Sequence, residues 1–179
     1  MLEIIVPARE FFDEEKNEFV YSHETKLTME HSLISLSKWE SKWKKPFLSS
    51  EKTVAETIDY VRCMTLTQNV DPNIYTSMSQ ENIDAVVKYI EDPMTATTIK
   101  NRKGRGPRGE IVTAEIIYYW MVTLNIPFEC QKWHLNKLLT LVEVCSIKNQ
   151  PQKKMSKNEI LRQNRELNAA RRAKLNTKG

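Results

Sequence analysis

Three histidines and three cysteines are the residues of this 179-residue chain best suited to hold a metal or to start a nucleophilic reaction. Cys130 and His134 are the one such pair close in sequence, four positions apart and so on one side of a helix. Cys145 or His23 would add a third donor. Structural zinc, however, is held by four ligands with paired spacings, and the chain has no C-x-x-C pair. The same Cys130/His134 pair is the only basis for a thiol nucleophile with a nearby base, and no G-x-S-x-G elbow accompanies it. Asp13, Glu14 and Glu15 suggest acid or metal chemistry, but they read more simply as a solvated hairpin tip. There is no P-loop and no G-x-G-x-x-G turn. The reading is of a non-enzyme without metal or cofactor.

What remains is chemistry of adhesion. Residues 100–109 (KNRKGRGPRG) carry five basic side chains, three glycines and a proline, which makes a loop rather than core. Its GRGPRG run resembles RGG-type segments that hold RNA through phosphate charge, set against a plain solvated loop. Residues 150–179 hold nine Lys or Arg and two Glu, a net +7. Since the whole chain is +4, residues 1–149 are left at −3, so the basicity belongs to the tail and not to the body. In that tail Leu161, Arg165, Leu167, Arg171 and Arg172 suit a protein groove. No aromatic is present there to stack on bases, so nucleic acid is not favoured. A second candidate anchor is Trp39 with Trp43, expected on one face of a helix whose remaining circumference carries Lys38, Lys42, Lys44 and Lys45.

The elements that must position these groups follow from periodicity. The predicted fold class is mainly α: a small N-terminal β-hairpin or meander, then a helical bundle, then a basic C-terminal helical tail. Residues 1–149 are expected to form one globular domain, with the β element in 1–31 and the helical core in 32–149, and 150–179 to form the tail. Leu2–Pro7, Glu18–Tyr21 and the alternating Lys26–Glu30 supply the strands. A helix is predicted from Ser32, with Leu33, Leu36, Trp39 (or Glu40) and Trp43 on one face and Pro46 as its stop. A second opens at Ser50, or at the Thr53-x-x-Glu56 capping box if it starts later, with Val54, Ile58, Val61 and Met64 inward. Asp71-Pro72 makes a turn. Ser79 caps a third helix lined by Ile83, Val86, Val87 and Ile90. Asp92-Pro93 reads as a start signal for a short turn over 94–98. Residues 111–124 are apolar almost all round, which predicts a central buried helix, although a buried strand fits locally. A last core helix is expected over about 131–147, with Trp133, Leu138, Leu139, Val142 and Cys145 inward. Ser156-x-x-Glu159 is a further capping pattern, opening a tail helix that is frayed alone and firm against a partner.

The longest apolar run, 116–122, is seven residues, far short of the ~18–20 of a membrane span. Glu3, Arg9 and Glu10 interrupt any signal-peptide core, and three irregularly spaced cysteines read as buried thiols of a reducing compartment.

Several stretches together carry a family resemblance: IIVPAREFFDEEKNEF, SLISLSKWESKWKKPFL, DYVRCMTLTQNVDPNIY, YIEDPMTATT, EIIYYWMVTLNIPFECQKWHLNKLLTL and KKMSKNEI…LNAARRAKLN. Over nearly its whole length the chain resembles tailed-bacteriophage virion-assembly proteins of the tail assembly chaperone kind. The resemblance implies a short N-terminal β element, helices and a C-terminal extension. It also implies a non-catalytic protein of the host cell cytoplasm that coats the tape measure protein until tail-tube subunits polymerise around it. Its expected partners are then the tape measure protein and the tail tube protein, with self-association open and no membrane. The alternative is a structural virion component of the neck, connector or minor tail, and behind it a nucleic-acid-binding phage factor.

Overall fold

Alternation at the N-terminus builds a β-hairpin in the computed structural model, which describes residues 1–13, 17–99, 111–149 and 157–175. Strand β1 (Leu2–Val6) pairs antiparallel with β4 (Thr25–Met29), and β2 (Arg9–Asp13) with β3 (Glu18–Ser22). Leu2 faces Met29 and Arg9 faces Ser22, so both ladders share one register. The interruption falls at Pro7, which has no N–H to give a ladder. Ile4, Val6, Leu27 and Met29 turn inward and are buried, while Glu3 and Lys26 pair across the outer face at 2.8 Å. The chain after the second helix lies along β4: Met64 O accepts the Glu30 N–H at 2.9 Å, and Thr28 O the Leu66 N–H at 2.8 Å.

The protein is mainly helical, with six α-helices among the described residues. Helix α1 (Leu33–Trp43) starts where predicted, because the Ser32 and Ser35 side chains each take the other's backbone N–H. It ends on Lys44 in the left-handed region (φ 55°), just ahead of Pro46. Helix α2 (Val54–Met64) uses the later of its two expected starts, the Thr53/Glu56 capping box. Val61 and Met64 are buried as expected, but Val54 is exposed and Ile58 only half-buried. The buried face is rotated towards Glu56, Asp59 and Tyr60, which α1 engages. Asp71 caps a 3-10 turn, Pro72–Tyr75. Helix α3 (Gln80–Glu91) is capped by Ser79 and Asn82, and it buries Val86 and Tyr89 while Ile83 and Val87 stay exposed. Asp92 does not start a helix. It terminates α3 and its carboxylate accepts the Met94 N–H at 2.6 Å.

Helix α4 (Ala114–Thr123) settles the strand-or-helix ambiguity of 111–124. It is not wrapped on all sides, however: Ala114, Ile117 and Met121 are buried, but Tyr119 and Val122 are exposed. A 3-10 turn, Phe128–Lys132, then precedes α5 (Leu135–Asn149), so the last core helix starts later than expected and Trp133 stands outside it, 39% exposed beneath the Lys137 ammonium. Leu138, Leu139 and Val142 are buried. Cys130 is buried, whereas Cys63 and Cys145 are half-buried, a correction to three buried thiols. The core joins Leu36 and Trp39 of α1, Tyr60 of α2, Ile117 and Met121 of α4 and Leu138 of α5.

Two compact units divide the chain, Met1–Ile147 and Lys148–Gly179. The second contains α6 (Lys157–Leu175), whose described side chains are all exposed. The 100–109 loop, Glu14, Glu15 and the Ser156 cap lie outside the described residues. Among the described residues no helix is long and apolar enough to cross a membrane.

Candidate protein-binding surfaces

The aromatic anchor expected on α1 is not one. Trp39 has no exposed surface, and its indole N–H donates to the Glu56 carbonyl at 2.8 Å. Phe47 packs edge-on against it at 5.1 Å between ring centroids, and Tyr60 follows at 4.0 Å from Phe47. A tryptophan spaced for a helical stripe has gone to the core, the commoner fate of so large an apolar side chain. Trp43 is half-buried, its N–H donating to Asp59 Oδ2 at 2.8 Å while the Lys42 ammonium takes Asp59 Oδ1. Lys45 pairs with Glu56, whose other oxygen accepts the Thr53 N–H at 2.7 Å. The Lys45 ammonium, helped by that N–H, holds the Glu56 carboxyl below the usual carboxylate range. The basic circumference of α1 is thus partly neutralised by the acidic face of α2. Lys38 is exposed. Leu161, Arg165, Leu167, Arg171 and Arg172 are exposed along α6.

The histidines sit at a buried polar junction. His134 Nε2 faces the Tyr89 carbonyl at 2.9 Å and so must donate, which leaves Nδ1 to accept the Asn136 N–H at 3.3 Å. Both nitrogens are used, and neither is left for a metal or for a base's work. His31 lies 5.0 Å away, ring to ring, with Nδ1 bonded to the Tyr60 hydroxyl. Burial, reinforced by His134, drives its pKa down to about 3, so the ring is neutral at pH 7. Burial likewise raises the Tyr60 and Tyr89 hydroxyls, and Tyr89 donates to Glu30 Oε1 at 2.6 Å. Backbone bonds tie this junction together: Leu135 N–H donates to the His31 carbonyl at 2.7 Å. Among the described residues no group of three or more His, Cys, Asp or Glu is placed to hold a metal ion.

A second buried carboxylate escaped the sequence reading. Glu40 accepts the Phe47 N–H with Oε1 and the Ala114 N–H with Oε2, both at 2.7 Å. Thr113 at the start of α4 makes no side-chain cap, so Glu40 supplies the anion that the helix N-terminus favours. Only the i, i+7 spacing to Phe47 is local; the partner at Ala114 is far along the chain. The helical spacing that allows Glu40 on the apolar face of α1 signals its burial, but nothing in the sequence signals the partner at Ala114.

With α4 clamped at its start and packed along one face, its other face is presented outward. Tyr119 is 63% exposed and Val122 59%, neighbours one turn apart. Phe128, 53% exposed, stands 6.4 Å from the Tyr118 ring, whose hydroxyl donates to Gln131. Tyr119 and Val122 thus share one side of α4, Phe128 stands beside the adjoining Tyr118, and exposed aromatic side chains are enriched at interface centres.

Set beside family models, curated proteins and solved structures, the chain matches none. What it does is therefore argued from its own surfaces. The buried polar side chains described above are engaged in holding the fold.

Proposed function

We propose that this chain is a non-catalytic binding protein, a bacteriophage tail assembly chaperone that keeps the tape measure protein soluble in the host cytoplasm while the tail tube assembles. The observation that carries the reading is the exposed aromatic and aliphatic face of α4 with Phe128, on a body whose buried His31, His134 and Glu40 are occupied by internal bonds. Such a face meets an apolar helical segment, and the charged remainder of the surface keeps the complex in solution. The stretches quoted above supply the family direction. The α4 face replaces Trp39 and Trp43 as the anchor. Each contact is small, so many copies act along one long partner and each is released readily.

Co-expression with the tape measure protein of the same phage tests this. The partner is expected to turn soluble and to co-purify. If it stays insoluble, or if this chain is instead abundant in purified particles, the chaperone reading gives way to a structural virion component.

A further inference from the structure

We propose that copies of this chain bind one another, helix α6 of one copy lying along the outer face of helix α3 of another. Helix α3 buries Val86 and Tyr89 and leaves Ile83 and Val87, four apart, exposed on a different side. Asp84 and Glu91, seven positions apart and so two turns along one side, flank that pair and are exposed. Asp84 accepts from the Gln80 amide at 2.8 Å, and among the described residues neither carboxylate is in an ion pair. Residues 80–92 hold four acidic side chains and one basic, a net −3. Two of the four, Glu91 and Asp92, stand at the C-terminal end of α3, where the helix dipole favours cations. The face suits a cover that is basic and partly apolar.

Helix α6 carries the matching pattern. Arg165 and Arg172 are likewise seven apart and exposed, a row about 10 Å long like that of Asp84 and Glu91. Among the described residues neither is in an ion pair; on α6 it is Arg162 that pairs with Glu166. Ile160 and Leu167, also seven apart, and Leu161 are exposed and supply the apolar part. Residues 160–175 hold five basic side chains and one acidic, a net +4. With 19 residues α6 is about 28 Å long, against roughly 18 Å for the 12 residues of α3, so one helix covers the whole face. Charge selects α3 over α4. Residues 111–137, which carry the exposed face of α4, hold two acidic and two basic side chains and offer a basic helix no net attraction. Alone, a helix of the length and composition of α6 is marginal, and docking on α3 would firm it. The contact leaves the α4 face free and stands whatever that face binds.

Two full-length charge-swap variants test this, using mass from light scattering on a sizing column. One carries Asp84→Arg and Glu91→Arg, the other Arg165→Glu and Arg172→Glu. All four positions are exposed, and far-UV circular dichroism checks that each variant is folded. At low salt the natural chain is expected to grow in mass with concentration. Each variant alone sets like charges against each other and is expected to stay a single chain. An equal mixture is expected to associate again, since the tail of each then meets opposite charge on the other. Raising salt from about 0.05 M to about 0.5 M is expected to weaken association of the natural chain several-fold, as charge screening requires. A natural chain that stays single at every concentration, variants that associate as the natural chain does, a mixture that does not recombine, or association indifferent to salt would overturn the proposal.

Discussion

Replacing Glu40 is the sharpest probe of how the body is held. Its carboxylate is buried and accepts two backbone N–H groups, from Phe47 and from Ala114, each at 2.7 Å. Glu40→Ala leaves both donors without a partner in a dry site. An orphaned buried donor costs about 1–3 kcal/mol, and the lost interaction with the α4 N-terminus adds roughly 0.3–1 kcal/mol. With two donors orphaned the expected loss is therefore about 2–7 kcal/mol, a large part of a stability that in domains of this kind is about 5–15 kcal/mol. Glu40→Gln keeps one carbonyl acceptor but turns an amide N–H towards the second donor, and about 2–3 kcal/mol should go. Urea unfolding followed by tryptophan fluorescence reads both as a shift in midpoint, and amide exchange at Ala114 and Phe47 should accelerate together. A Glu40→Ala protein within about 0.5 kcal/mol of the natural one would refute the clamp.

Three further outcomes are expected. His31 is neutral in the fold and charges on unfolding at acid pH, so the unfolded chain binds more protons between about pH 6.5 and the folded value of about 3. Stability should then be full above pH 6.5 and fall by about 2 kcal/mol from pH 7 to 5, a slope that His31→Asn should flatten; Glu56, with its depressed carboxyl, adds its own loss only below its ordinary titration range. Trp39→Ala should cost about 3–5 kcal/mol and Trp43→Ala much less, about 1 kcal/mol, in denaturant titrations; equal losses would mean that Trp39 is not in the core. Thr53→Ala, which removes one half of the α2 capping box, should lower stability by about 1 kcal/mol without moving the far-UV spectrum.

Local signals in the sequence suffice where neighbouring residues supply both partners. Ser32, Thr53 and Ser79 each cap the helix that follows because the group they bond is three residues away. The alternation of Leu27 and Met29 set the inner face of the sheet for the same reason. Periodicity falls short where a distant residue decides. Trp39 and Trp43 share a stripe, yet only contact with α2 determines that one is sealed in and the other rests at the rim. Helix α4 is apolar almost all round, and periodicity cannot say which side the body covers. Val54 fits the stripe of α2 but lies in its first turn, where nothing buries it. The candidate site moved for this reason, from the tryptophans of α1 to Tyr119, Val122 and Phe128.

The most direct measurement is the amount of tape measure protein that remains in the soluble fraction when co-expressed with this chain and with a Tyr119→Ser, Val122→Ser, Phe128→Ser variant. The three positions are exposed, so the variant should fold as the natural chain does. The account predicts a soluble, co-purifying partner with the natural chain and a loss of at least several-fold with the variant. Equal recovery with both would contradict the claim that this protein works through the outer face of α4.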